Sequence, residues 1–443
     1  MGEQREIKTA TRVVQNVDAP QTQELNVDIC VVGAGIAGIS AALEAARLGR
    51  KVALIDSLPA LGGQAVNSII GIFCGVFSNG EHPYQFTYGI ASDILEDLGA
   101  IGALHYRYGQ HNVVMYDEVA LSRWVEKNVL QAGINVLTGA VLRGVNRQGS
   151  RITSLEIATR YGDVRVTANG FVDASGDAVI AWLAGLPCRE AAEGSVYGTQ
   201  MMVLEGVDTD NIPDRYEVVE RLHKKAADYG LVRKDGFAFA FPSRGMALVN
   251  MTHVETPLDP VAAARKALEG KDQADLAFKY LQSEYPEAFS KAKIRSYGLL
   301  GIRQTRWIVG KKQITVEDVR SGYRFDDAIG RTSWPIELHD REEGYVWEPY
   351  DDDHVHYIPF GSQTPPDVDN LVAAGRCIDG DLAALSSVRV MGPCIAMGAA
   401  AAHALDLAGT GSVHEIKIED LQGRVRDNIE AKKPLVKTEN LKA

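Results

Sequence analysis

Residues 27–56 read VDICVVGAGIAGISAALEAARLGRKVALID, and this stretch decides the fold. Residues 27–32 form an apolar, β-branched run of the kind found in strands buried on both faces. Gly33, Gly35 and Gly38 follow in GxGxxG spacing, with Ile36 and Ala37 between them. ISAALEAARLG then has the pattern of an amphipathic helix that Gly49 stops, and KVALID is a second buried strand ending at Asp56. Strand, glycine turn, helix and strand within about 30 residues make a βαβ unit. In such a turn the first glycine permits the tight bend, the second lets the backbone approach a pyrophosphate, and the third lets helix and strand pack closely. The helix N-terminus offers free N–H groups to the phosphates. Asp56, with Ser57 beside it, can accept hydrogen bonds from a ribose. The alternative, a glycine-rich turn without a ligand, fits the full strand–turn–helix–strand context poorly.

Three further pieces distinguish FAD from NAD. Gly62-Gly63-Gln64 comes shortly after Asp56, where a glycine pair lets the chain pass a diphosphate and ribityl chain. VDASGDA, which contains Ala174, Gly176 and Asp177, reads as a strand entering a turn at the adenine end. AAGRCIDGD, with Gly375, Arg376 and Asp381, places a carboxylate within reach of ribityl hydroxyls. A helix is expected to begin near Gly392-Pro393, its positive end facing a reduced flavin ring. The expected fold is α/β, with a discontinuous, Rossmann-like FAD-binding domain of the GxGxxG type. A mixed α+β substrate domain is inserted in it. The divisions read as an N-terminal extension over 1–24 and a first FAD part over 25–194, whose loop region 66–116 faces the substrate. A cap over 195–360, a second FAD part over 361–410 and a partly helical tail over 411–443 complete the chain. Helices are expected over 90–98, 118–132, 214–228 and 260–290, and a β-meander from Ile134 to Gly176.

Composition narrows the function. The chain has 443 residues, 46% hydrophobic and 23% charged, with a net charge of −12. That is the balance of a globular protein, not of a disordered or fibrous one. The acidic excess and the lack of a basic run argue against nucleic acid. The five cysteines, Cys30, Cys74, Cys188, Cys377 and Cys394, contain no CxxC pair. This argues against a disulfide framework, a zinc site or a CxxC-type cluster, and no metal is expected. No secretory signal or membrane span is read, so the expected setting is the cytoplasm, without membrane attachment.

DICVVGAGIAGISAALEAARLG, LGGQA, FVDASGDAVIAWLAG, GIRQTRWIVG and NLVAAGRCIDGD with SVRVMGPCIAMGAAAA occur in that order. On these pieces the chain resembles FAD-dependent oxidoreductases of the glutathione-reductase-like flavoprotein superfamily. It is most similar to the branch of heterodisulfide reductase-like FAD oxidoreductases. The resemblance runs from about residue 26 to 408. It implies that Gly33, Gly35, Gly38 and Asp56 hold the ADP half of FAD. Gly62, Gly63 and Gln64 would follow the diphosphate and flavin side, and Asp381 would bond the ribityl chain. Arg389 to Met397, including Met391 and Cys394, would line the pyrimidine end. Two departures stand out. Leu382 occupies a position where relatives often carry His, and the cluster cysteines of the branch are absent. No second GxGxxG in strand–helix context follows, so a separate NAD(P)H domain is not expected.

On the substrate side, Arg303 and Arg306 stand three apart and are candidates for one helical face that clamps a carboxylate or stabilises a flavin anion. An ion pair with the inserted domain is the alternative. His354 and His356 alternate along an expected strand and, with Tyr357, are candidates for proton transfer. A structural histidine pair is the competing reading. Cys74 reads as a buried small residue or a flavin-side group. His339 with Asp340 reads as a structural hydrogen-bonded pair. Trp334, Tyr345, Trp347 and Tyr350 read as a packing cluster or a pocket wall. The expected function is hydride transfer between a small organic substrate and flavin N5, with oxygen, a quinone or a protein as acceptor. A homo-oligomer is compatible with it. A monooxygenase using external NAD(P)H, a non-redox hydratase or isomerase, and an FAD-binding module without activity stay open.

Overall fold

The computed structural model describes residues 8–15, 22–192, 196–241 and 244–435. The start of the extension, the boundary near 195 and the end of the tail lie outside the described residues.

The βαβ unit forms as β1 (Gln23–Val32), α1 (Ile36–Arg47) and β2 (Val52–Asp56). A short helix, α2 (Gly63–Asn67), follows. The sheet then gains β3 (Asn135–Thr138), β4 (Val141–Gln148), β5 (Arg151–Thr159) and β6 (Gly162–Asp173). Its order is β3-β2-β1-β6-β5-β4. The strands β3, β2, β1 and β6 run parallel, while β4, β5 and β6 form the antiparallel meander.

One edge of β6 has two successive partners. Residues 162–167 pair with β5, and residues 171–173 pair in parallel with a strand from far along the chain, Leu371–Ala373. Asn370 fills the gap between them. Its side chain accepts from Ile152 N (3.0 Å) and donates to Ile152 O (2.9 Å) and Asn169 O (3.0 Å). Backbone groups that change partner inside a sheet are thereby satisfied without water.

The segment between the two parts carries its own antiparallel sheet. It contains β7 (Met202–Glu205), β8 (Phe237–Phe241), β9 (Met246–Asn250) and, after α3 (Pro260–Glu284), β10 (Lys293–Tyr297), in the order β8-β9-β7-β10. Asp259 caps α3 by accepting from Val261 N and Ala262 N, with Pro260 at the first helical position. Met202, Leu204 and Val249 of the sheet pack on Ala277, Tyr280 and Leu281 of the helix. The single helix expected over 260–290 ends at Glu284. Pro286 disfavours helical geometry at Tyr285, which sits at φ −136° and ψ 58°.

The chain returns through the strand 371–373, now β11, to α4 (Leu382–Val388) and α5 (Met391–Ala408). By length and composition α5 could cross a membrane, but it is mostly buried in the protein and packs along α1. A Cβ on Gly398 would lie 2.1 Å from Ala37 O and 2.9 Å from Ser40 Cβ. Ser40 Oγ donates to Ile395 O at 2.7 Å across the same contact.

Overpacking at such a contact costs about 1–3 kcal/mol. Gly398→Ala is therefore expected to destabilise the protein by that amount and to lower the urea midpoint of unfolding. An unchanged midpoint would show that the helices can move apart freely.

Candidate functional site

The carboxyl ends of β1 and β6 and the N-termini of α1 and α5 meet around the glycine turn. Gly33 has φ +102°, and a Cβ there would lie 2.2 Å from Ala174 O. A Cβ on Gly38 would lie 1.8 Å from Gly33 O, and one on Gly63 would lie 2.5 Å from Gly35 Cα. Gly35 differs: a Cβ there meets nothing within 4 Å. Helix α1 starts at that open space with no side chain capping its first turn. Free N–H groups around a space that the backbone can reach fit an anionic diphosphate. Gly62 closes the loop by donating from its N to Ala34 O at 2.9 Å, so the glycine pair lies directly over the turn.

Asp56 ends β2 half-buried. Its Oδ2 accepts from Ala34 N (2.6 Å) and its Oδ1 from Leu58 N (2.8 Å). Burial raises its pKa, and these two bonds pull it back down. Ser57 is exposed beside it. Asp177 holds Arg376 at 2.9 Å and accepts from the Thr305 hydroxyl. Gly176 has φ +76°, and a Cβ there would lie 2.4 Å from Arg376 Nε. Gly375, at φ +88°, faces the α1 turn, where its Cβ would lie 3.3 Å from Ala37 Cβ. Asp381 does local work that its sequence did not announce. It caps α4 through Ala384 N (2.8 Å) and accepts from Val316 N (2.7 Å). Each of its oxygens keeps one further lone pair. Gln64 Nε2 donates to Ile302 O at 2.9 Å, which ties α2 to the segment carrying Arg303. Met391 receives a contact from the Tyr116 hydroxyl, and Cys394 Sγ lies 3.1 Å from Arg389 O. Burial pushes the Cys394 thiol up to about 12. Cys74 lies beside this helix start, its carbonyl accepting from Gly392 N at 3.0 Å.

The expected clamp of Arg303 and Arg306 on one helical face does not form. Residues 301–305 are not helical, and Arg306 begins a strand, Arg306–Ile308, that pairs with Cys188–Glu190. Positions three apart on an extended chain point to opposite sides. Arg306 accordingly lies over the Trp182 ring at 3.9 Å, while Arg303 donates to Tyr197 O at 2.6 Å.

His354 and His356 do come together, with Nε2 of the first 3.1 Å from Nδ1 of the second. Only His356 lies in the strand, His356–Pro359, and its Nε2 meets Ser387 Oγ of α4 at 2.8 Å. The His354 ring stacks on Tyr350 at 4.0 Å. In this arrangement the pair packs the strand against α4. Burial lowers the His356 pKa to about 3, with His354 adding to the shift. Tyr357 alternates to the other face, with Arg324 over its ring. Trp334, Tyr345 and Trp347 form one aromatic cluster with centroids 5.8 Å and 5.9 Å apart.

A polar chain between the two parts was not legible in the sequence. His339 does not pair with Asp340, which is exposed beside Arg341. Its Nε2 meets Glu337 Oε1 at 3.1 Å and its Nδ1 meets His253 Nε2 at 2.8 Å. His253 Nδ1 meets Glu342 O at 2.9 Å. A carbonyl only accepts, so His253 Nδ1 carries a proton. Every link is then satisfied only if Glu337, His339 and His253 share one proton beyond the two of a pair of neutral imidazoles. Burial first, with Arg233 and Arg303 next for His253 and in the reverse order for His339, pushes both rings towards neutrality. Glu337 is the open end, its side chain 25% exposed, and Arg303, Arg389 and Cys74 all feel its charge.

Residues 28–425 match the family model described as FAD dependent oxidoreductase. No curated protein matches the chain. Among solved structures, it is similar to a geranylgeranyl bacteriochlorophyll reductase-like protein from Thermoplasma acidophilum. The identity is 13% over 91% of this chain and 82% of that one, with a TM-score of 0.45. A flavin-dependent brominase, Bmp2, is 12% identical over 91% and 83%, with a TM-score of 0.44. PqsL of P. aeruginosa, solved with 2-aminobenzoylacetate, is 14% identical over 91% and 92%, with a TM-score of 0.43.

Two outcomes are expected. Gly35→Ala should fold normally by circular dichroism yet purify with little FAD, because its methyl enters open space and not the protein; full yellow colour would refute this. His253→Ala should lower stability by about 1–3 kcal/mol by orphaning buried partners. Glu337→Gln should cost less, since its amide can still hydrogen-bond His339 and Trp334 Nε1. Equal losses in chemical denaturation would show that the buried histidine pair adds nothing beyond its Glu337 end.

Proposed function

The chain belongs to the family of FAD-dependent oxidoreductases and is an FAD-using enzyme with a Rossmann-like core, and on that premise we propose that it oxidises or reduces a small organic substrate by hydride exchange at flavin N5. Bound FAD supplies the two-electron carrier. The residues that would hold it are Gly33 to Gly38, Asp56, Gly62 to Gln64 and the start of α5, with Gly375 beside them. The finer likeness to heterodisulfide reductase-like FAD oxidoreductases is kept as part of this proposal. It rests on the sequence pieces around Gly62, Val172 and Ala373.

The observation that carries the reading is the chain Glu337–His339–His253. A hydride leaving or joining a carbon next to oxygen or nitrogen is accompanied by a proton on that heteroatom. Glu337, open at one end and backed by two neutral imidazoles, can take up or release that proton. The imidazoles let the proton shift inward with no change in heavy-atom positions. Arg303 and Arg389 flank the open end, so charge developing on a substrate oxygen there is met by fixed cations. The surrounding aromatic side chains Trp334 and Tyr345 exclude water from the chain: Trp334 Nε1 donates to Glu337 Oε2 at 3.1 Å, and Tyr345 stacks on His339 at 4.5 Å. Oxygen, a quinone or a protein then completes the cycle as acceptor.

The test is anaerobic addition of a panel of alcohols, amines, hydroxy acids and enones to the oxidised or pre-reduced holoprotein, followed in the visible spectrum. One chemical class is expected to change the flavin colour. Glu337→Gln should slow that change about a hundredfold or more at unchanged FAD content. Rapid bleaching by NAD(P)H with oxygen consumed into product would replace this reading with a monooxygenase. Turnover without any electron acceptor would replace it with a non-redox reaction.

A further inference from the structure

The seam between the two parts gathers more positive than negative charge. Arg233, Arg303 and Arg389 come from three separate stretches of chain, and each lies within electrostatic range of at least one of the others. Arg233 is spoken for: its Nε meets Asp235 at 2.6 Å, and its NH1 donates to Asn250 Oδ1 at 2.7 Å and Thr252 O at 3.2 Å. Arg303 and Arg389 are not. Among the described residues, Arg303 makes a single hydrogen bond, to Tyr197 O. Arg389 makes only a long one, 3.4 Å to Glu337 O. A guanidinium has five N–H donors, so most of theirs are unspent. The protein surrounds both groups, yet each keeps part of its surface open. Burial, with Arg233 next, pulls Arg303 down to about 9, and burial, resisted by Glu337, pulls Arg389 down to about 10. Both remain cationic at neutral pH. Among the described residues Glu337 is the one carboxylate that offsets them both, and it also hydrogen-bonds His339.

Two enclosed cations with free donors and at most one shared counter-charge form a receptor for an anion. We propose that this seam binds a substrate through a carboxylate, held by Arg303 and Arg389 beside the Glu337 end of the proton chain. The inference rests on the preceding reading of the seam as the substrate site and narrows it to anionic substrates. Planar guanidiniums match a carboxylate's two oxygens, and Glu337 repels a second negative charge from its own side. The residues fix one end of the substrate and leave the rest to the cleft.

The test is equilibrium binding to the oxidised holoprotein, with no turnover. Matched probes are titrated by calorimetry and by perturbation of the flavin spectrum: benzoate against benzamide, and acetate, succinate and glycolate against their amides. At least one carboxylate is expected to bind about tenfold or more tighter than its amide. In Arg303→Gln and Arg389→Gln, compared at equal FAD occupancy, that preference should shrink to about nothing. Amides binding as well as acids, or no carboxylate binding at millimolar concentration, overturns the proposal. So does a variant that loses FAD while its residual holoprotein keeps the carboxylate preference, since the arginines then serve the cofactor. If a variant fails to fold, the acid–amide comparison on the unaltered protein still decides. A protein that binds carboxylates but exchanges electrons with none of the wider panel would sink the redox reading and leave the anion site standing.

Discussion

Everything at the cofactor end depends on how closely α1 and α5 can approach. The two helices meet closely, because Gly398 lets α5 rest on the Ala37 carbonyl, with only the small Ser40 side chain beside it. Gly33 and Gly38 do the same for the turn against β6. Dispersion is short-ranged, so this contact is worth most when backbones touch.

Much of this was legible. The glycine turn, the first strands, the meander from Val141 on and the α5 helix follow from local pattern, whereas Asn135–Thr138, expected to open the meander, joins β2 in parallel. Several glycines also declare their purpose, since Gly33, Gly38 and Gly398 stand where a Cβ would collide with backbone. Helix 260–284 was placed correctly except at its end, where Pro286 acts through the residue before it.

What was not legible depends on distant or alternating geometry. His253 and His339 are 86 positions apart, and nothing local says that their rings meet. Arg303 and Arg306 looked like partners under a helical period and are separated by an extended one. Asp381 looked like a ligand and is first a helix cap, a role that any Asp before a helix can take. Asn370 gave no signal at all, since its importance arises only where β6 exchanges one neighbour for another.

The joining of α1 to α5 has a consequence for synthesis. The residues bonded at Ser40 and Ile395 lie 355 positions apart. At ribosomal speeds of about 5–20 residues per second, the first helix waits roughly 20–70 s for the second. For that time the glycine turn and the apolar face of α1 are exposed in a nascent chain whose sheet also lacks β11. The glycine turn and the helix that packs behind it are therefore brought together only once nearly the whole chain has been made.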